Sequence, residues 1–490
     1  MAEISLSKQA GLLSVTDSLR FVVKTIVGIV LARILSQTEY GTYRQLFLIY
    51  TTLSTIVLLG IPQSMLYFIP KLGDEEKRRS FISRSIDLVS LLAILMVFGV
   101  ILFRPLISKA FSNAQLLPLL LIFAFYPLYM FVNQIFSSVM LGMKEPLRLV
   151  KFSIFSMATD LVLILGTALV FRKLEIIVLG LVTAAFIQWL YARIGLSKEA
   201  SDYKFAWEDY KQQLRFSLPI GLSAIIGILA VQMDKIVIST YFDPAQYAIF
   251  SVGAMELPFI GILVNSVYSV ILPAMSSSGS PELMAQLYRG SVRKNALIIF
   301  PVAAVFFVLA SDIMSFLYSS RYEGAAIYFR IYLFTLPIRV GIFGLIFQAV
   351  NRTKYIMQNA VLTLVANLIL NLILVNTNLK MQGPAIATVM VTYISSVVYL
   401  WLIHFKLGLS LRQLLPLEQL VRTLIASLLA AALVYPIQSI LHHQLLRLSL
   451  IPALFIVLYL GIAYLCKALL PYDLQSVSRG ARETLRKLKR

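Results

Sequence analysis

Long apolar stretches broken by short polar ones run through almost the whole chain. Crossing bilayer hydrocarbon as a helix takes about 20 apolar residues. Segments of that kind lie near 10–34, 45–69, 82–103, 115–140, 150–171 and 174–195. After a polar interval, others follow near 214–241, 247–273, 295–318, 326–350, 355–375, 383–404, 418–440 and 449–470. The pattern predicts an all-α polytopic membrane protein of about 14 transmembrane helices. It divides into a six-helix lobe over 1–196, a cytoplasmic interfacial linker over 197–213 and a second six-helix lobe over 214–404. Two additional helices over 405–470 and a basic tail over 471–490 complete it.

Composition agrees with lipid as the solvent. Of 490 residues, 59% are hydrophobic and 13% charged, more apolar surface than a soluble fold can bury. The first apolar stretch carries Arg20 and Lys24 and has no small-residue cleavage motif, so it reads as a retained span rather than a cleaved signal. The single cysteine, Cys466, excludes an internal disulfide, and the adjacent His442 and His443 read as a wet loop rather than a metal site. No structural metal or cofactor is expected.

The net charge of +20 reads as orientation rather than as a nucleic-acid surface. Of the 43 lysines and arginines, 29 lie in loops on the N-terminal side, among them Lys77-Arg78-Arg79 and the Arg486-Lys487-Leu488-Lys489-Arg490 tail, and 10 in loops on the other. Such a bias in short loops places both termini in the cytoplasm of an inner-membrane protein. The polar interval SKEASDYKFAWEDYKQQ (197–213) mixes charge with Tyr203, Phe205, Trp207 and Tyr210, a composition suited to a helix at the membrane interface.

A weak internal repeat straddles that interval. LSQTEYGTY (35–43) precedes a helix ending at Ile69-Pro70, and FDPAQYAIF (242–250) precedes one ending at Leu272-Pro273. Six spans per half make the repeats parallel, an arrangement that transporters use around a central site.

At these same turns the chain resembles a known family. Arg33-Ile34-Leu35-Ser36 followed by Glu39-Tyr40-Gly41-Thr42-Tyr43, and Gln232-Met233-Asp234-Lys235 followed by Phe242 and Tyr247, are similar to turns of polysaccharide-export flippases. These are the oligosaccharidyl-lipid (Wzx-type) branch of the multidrug/oligosaccharidyl-lipid/polysaccharide exporter superfamily. The resemblance implies a V-shaped two-lobe transporter whose substrate is undecaprenyl pyrophosphate bearing an oligosaccharide. It also implies work beside a polysaccharide polymerase and other assembly proteins in making O-antigen, capsule or exopolysaccharide. A cation-coupled drug exporter of the same fold is the alternative. A membrane glycosyltransferase or polymerase fits less well, because the cytoplasmic loops lack an acidic pair or histidine cluster.

Ionisable residues inside spans cost about 2.5–3.5 kcal/mol each on insertion scales and mark functional positions. Asp17, Arg20 and Lys24 share one face of the first helix. A pyrophosphate cannot enter low dielectric uncompensated, so Arg20 and Lys24 are expected to bind it, with Arg33 and Arg44 near the outer mouth and Arg339 from the tenth span. The competing reading pairs Asp17 with Arg20, or joins these cations to Asp160 as a salt bridge. Asp17, Asp160, Lys235 and Glu256 are further cavity candidates. The deep cations Arg20, Lys24, Lys235 and Arg339 are matched in number by the acids Asp17, Asp160, Asp234 and Glu256, so some acids must be neutral, ion-bound or turned away. From a sodium site in similar flippases, the resemblance implies a coupling site for Na+ or H+ at Asp234, Asn367, Asn371 and Thr388. Asn371 stands where that relative has an acid. Asparagines bonding between helices are the plainer alternative.

Overall fold

The computed structural model describes residues 6–203, 207–255 and 257–469; Phe205, Glu256 and the 471–490 tail lie outside the described residues. The chain forms two compact units, Met1–Ser251 and Val252–Arg490, and the described residues contain helices but no strand.

In the first unit, α1 (Leu6–Ile34) is followed by α2 (Gln37–Leu58), α3 (Ile61–Phe68) and α4 (Glu75–Ala110). Next come α5 (Leu116–Phe123), α6 (Tyr126–Gly142), α7 (Pro146–Asp160), a π-helical turn (Leu161–Leu165) and α8 (Gly166–Phe171). α9 (Leu174–Ser197), α10 (Trp207–Tyr241) and the start of α11 (Pro244–Gly253) complete it. The second unit holds α12 (Pro258–Ser276), α13 (Pro281–Tyr318), α14 (Ala325–Leu333), α15 (Gly344–Ala349) and α16 (Lys354–Val375). It continues with α17 (Gln382–Leu407), α18 (Leu411–Leu414), α19 (Leu417–Val434), α20 (Ile437–Ile440) and α21 (Gln444–Leu465).

Among the described residues, ten helices are long and apolar enough to cross a membrane, and thirteen crossings result if each of three bent pairs is one span. Fourteen require α1 to cross as well. Its 29 residues are long enough, but Asp17, Arg20, Lys24 and Arg33 break its apolar character.

The bend between α2 and α3, 49°, was not expected within 45–69. Leu59 and Gly60 there take left-handed backbone, φ 48° and 73°, and only the second is a glycine's ordinary choice. α10 packs into the bend. A Cβ on Gly60 would sit 2.7 Å from the Ser217 carbonyl oxygen, and one on Gly221 only 2.4 Å from the Leu59 carbonyl carbon. Polar side chains fasten α10 on either side of this crossing. Gln213 Nε2 donates to Ser64 Oγ (3.0 Å) and Ser85 Oγ (2.9 Å), and Gln45 Nε2 donates to Ser239 Oγ (2.9 Å). The division between units therefore falls after α10, beyond the 197–213 interval.

Within that interval, α9 ends at Ser197 and α10 begins at Trp207. Ser201 and Tyr203, between them, are tied to α4. Ser201 N–H donates to Ser83 Oγ (3.0 Å), Ser83 Oγ donates to the Ser201 carbonyl (2.8 Å), and Tyr203 donates to Asp87 (2.6 Å). Arg84 pairs with Asp209.

The two repeated turns are capped alike. At the start of α2, Glu39 N–H donates to Ser36 Oγ (3.2 Å) and Ser36 N–H to Glu39 Oε2 (2.9 Å). At α11, Gln246 N–H donates to Asp243 Oδ1 (2.8 Å) and Asp243 N–H to Gln246 Oε1 (3.4 Å). Each box satisfies orphan backbone donors reciprocally, and each is followed by a tyrosine that is almost fully buried, Tyr40 at 2% and Tyr247 at 1% exposure.

In the second unit, α19 and α21 pack on α13 through Ala426, Ala430, Ile451, Phe455 and Ala463 against Val308 and Leu309. Small residues permit that close approach. The hairpin is also fixed by an ion pair at the start of α21. Arg447 in the first turn of α21 grips Asp312 of α13 at 2.7 and 3.0 Å, and Gln444 Nε2 donates to the Asp312 carbonyl (2.9 Å). Removing one partner of a buried pair costs on the order of 3–5 kcal/mol. Arg447→Ala should therefore lower the melting temperature of the purified protein and expose the segment before α21 to protease. The double variant Asp312→Asn/Arg447→Gln should recover most of the loss, and wild-type melting of Arg447→Ala would show that the pair holds nothing.

Candidate functional site: the charged face of the first helix

α1 presents Asp17, Arg20 and Lys24 at helical spacing and packs beside α7 and the π turn. Asp17 is exposed and makes no ion pair with Arg20. Arg20 turns instead to α7, where Nη2 donates to Ser153 Oγ at 2.6 Å. Lys24 is exposed and has neither an ion pair nor a hydrogen bond among the described residues.

Asp160 closes α7, half-buried, and lies near enough to Lys24 and Arg20 for their charges to interact. The contact it makes is with an amide rather than with either cation. Gln188 Nε2 on α9 donates to Asp160 Oδ1 (2.8 Å) and also reaches Thr159 Oγ1 (2.9 Å) and the Ser156 carbonyl (3.3 Å). Arg20 and Lys24 thus share their surroundings with Asp160 without closing a salt bridge to it.

Directly after Asp160 the helix widens into the π turn. Such turns are frequent at functional sites because they re-aim side chains and free carbonyls. Thr167 Oγ1 takes up two of those carbonyls, Leu163 at 2.6 Å and Ile164 at 3.1 Å.

The other expected residues are distributed. Arg33 is exposed near the end of α1, about 14 Å of helix rise from Lys24, so it does not join the Arg20–Lys24 cluster. Arg44 is half-buried, and its charge reaches the phenols of Tyr40, Tyr43 and Tyr247. Asp234 is 2% exposed and accepts the Lys235 backbone N–H (2.7 Å) at Oδ1. Lys235 directs its ammonium to the Val231 carbonyl (3.4 Å). These residues belong to the first unit; Asn367, Asn371, Thr388 and Arg339 belong to the second. There Asn371 Nδ2 donates to the Asn367 carbonyl (2.8 Å) and to Asn367 Oδ1, leaving Asn371 Oδ1 buried without a donor among the described residues. The Thr388 carbonyl accepts from Thr392 (2.7 Å). Arg339 sits half-buried in the 3-10 turn Ile338–Val340, within the bent pair formed by α14 and α15. Glu256 lies outside the described residues.

Sequence reading missed Gln188 and Ser153, the neutral groups that orient the site; an amide inside an apolar span was the available signal for the first. It also missed Arg330, which lies over the Phe307 ring (5.6 Å) and donates to the Phe307 carbonyl (3.1 Å).

Comparison with known proteins bears on the fold and the family. The fold matches the lipid II flippase MurJ in its inward closed conformation, at TM-score 0.76 and 16% identity, over 92% of this chain and 98% of that one. It also matches an inward-facing multidrug resistance MATE transporter of the MOP superfamily, at TM-score 0.64 and 14% identity, over 78% and 93%. In sequence, an Lsg locus protein of Haemophilus influenzae is 20% identical over 169 residues, 33% of this chain and 42% of that protein. The family model described as "Polysaccharide biosynthesis protein" covers residues 30–327. The chain therefore belongs to the polysaccharide biosynthesis protein family, and it has the multi-helical fold of the flippase and transporter structures named above.

Proposed function

We propose that this protein is a flippase. It carries an oligosaccharide linked to undecaprenyl pyrophosphate from the cytoplasmic to the outer leaflet by alternating access, for a surface polysaccharide such as O-antigen, capsule or exopolysaccharide. Both termini then face the cytoplasm, and a polysaccharide polymerase with its assembly proteins receives the product. The observation that carries this reading is the charged face of α1. Arg20 is held by a neutral hydroxyl, Lys24 has no hydrogen bond or ion pair among the described residues, and neither closes a salt bridge to an acid there. A guanidinium and an ammonium so placed supply the charge-assisted hydrogen bonds a diphosphate requires. Arg33, Arg44 and Arg339 would take phosphate or sugar at other stages of passage.

Coupling to Na+ or H+ belongs to the same proposal, at Asp234, Asn367, Asn371 and Thr388. Its support is chemical: a nearly fully buried carboxylate and, at Asn371 Oδ1, a buried amide oxygen with no donor among the described residues. Oxygen ligands of that kind suit a hard cation.

Two outcomes are expected. Lys24→Ala and Arg20→Ala should each abolish surface polysaccharide while the protein still inserts, with Lys24→Arg retaining export. Wild-type polysaccharide in both alanine variants would overturn the diphosphate role, and loss of dye efflux alone would favour drug export. For coupling, Asp234→Asn should make export insensitive to collapse of the ion gradient; unchanged sensitivity would remove Asp234 from that role.

A further inference from the structure

An apolar groove of about 670 Å³ opens on the first unit, a volume typical of small-molecule and cofactor sites. It is lined by α2 (Leu48, Ile56), α4 (Met96, Phe103, Ile107) and Ile236 of α10, and it is apart from the charged face of α1. The α4 side chains beside it are open: Leu95 is 57%, Phe98 67% and Leu102 72% exposed. In a bilayer these meet lipid, so whatever fills the groove comes from the membrane.

Charge levels along α4 specify the occupant further. Arg84 and Arg104 are separated by 20 residues of one helix, about 30 Å of rise, which matches the hydrocarbon thickness. Each therefore stands at one headgroup level. Arg84 is paired with Asp209. Arg104 makes no ion pair or hydrogen bond among the described residues and is half-buried. It follows Val100 by four positions and precedes Ile107 by three, both groove-lining, so it borders that stripe. Exposed Lys109 adds a second cation one and a half turns on.

We infer that this groove is a binding site for an anionic membrane phospholipid of the leaflet opposite the Lys77-Arg78-Arg79 loop, its acyl chain lying along α4 and its phosphate on Arg104. Arginine suits the role, because its fork engages phosphate oxygens while its stem lies on apolar surface. Gly99, which lines the groove, provides a way to fill it: a Cβ there meets nothing within 4 Å.

The test is native mass spectrometry of the full-length protein from vesicles of phosphatidylglycerol and phosphatidylcholine in equal parts. Wild-type protein should retain phosphatidylglycerol preferentially. Arg104→Gln should weaken that retention about fivefold, the effect of one basic residue at a membrane surface (~1 kcal/mol), with Arg104→Lys restoring much of it. Gly99→Phe should displace both lipids. Equal retention of the two lipids by wild type, or undiminished phosphatidylglycerol on Arg104→Gln, would overturn the assignment. So would a preference for polyprenyl phosphate when it is added to the same vesicles.

Discussion

A charge inside hydrocarbon must be answered by another charge, by water or by cargo, and the first helix carries three such charges on one face. In this protein the answer is incomplete within the chain itself. Asp160 is near enough to temper Arg20 and Lys24, yet its contact is with Gln188. A closed salt bridge would be sturdier and would leave nothing for a substrate. Two cations balanced at a distance by one acid remain able to receive an anion, and the acid limits the cost of carrying them empty.

The surrounding structure serves that balance. The π turn after Asp160 and the Thr167 hydroxyl that satisfies its carbonyls fix where α7 ends and where the carboxylate stands. Ser153 aims the guanidinium. Farther along, the capping boxes at Ser36–Glu39 and Asp243–Gln246 set the start of corresponding helices in the two halves. The duplicated turn is thus a duplicated physical device, two orphan donors satisfied the same way and followed by a buried tyrosine. Duplication does not dictate mechanical grouping, however. α10 opens the second repeat by sequence but is locked to α2 and α3 by Gln45, Gln213 and the contact of Gly60 with Gly221.

Much of this was legible in the amino-acid order because it is local. Helical spans announce themselves by apolar length, the paired turns by residues three apart, and the charged face of α1 by its spacing. What was not legible depends on distant partners or on departures from the α-helical ladder. Gly60 and Pro62 mark a break, but nothing announces that Leu59 itself turns left-handed, since the bend admits Gly221 of a helix about 160 positions later. Arg447 looked like a loop residue until Asp312, on another span, was seen to meet it. The π turn keeps the same apolar composition as the helix around it and leaves no period to read. For the proposed coupling residues, the order of residues named Asp234 and the asparagines through resemblance to a sodium site in similar flippases.

The central claim is that α1 hosts a diphosphate as it crosses. Its most direct measurement follows a fluorescent polyprenyl-pyrophosphate oligosaccharide in vesicles reconstituted with the purified protein, with and without inorganic pyrophosphate as competitor. The account predicts protein-dependent arrival of the label in the opposite leaflet, slowed by the competitor. Translocation indifferent to pyrophosphate, or none at all by correctly inserted protein, would contradict it.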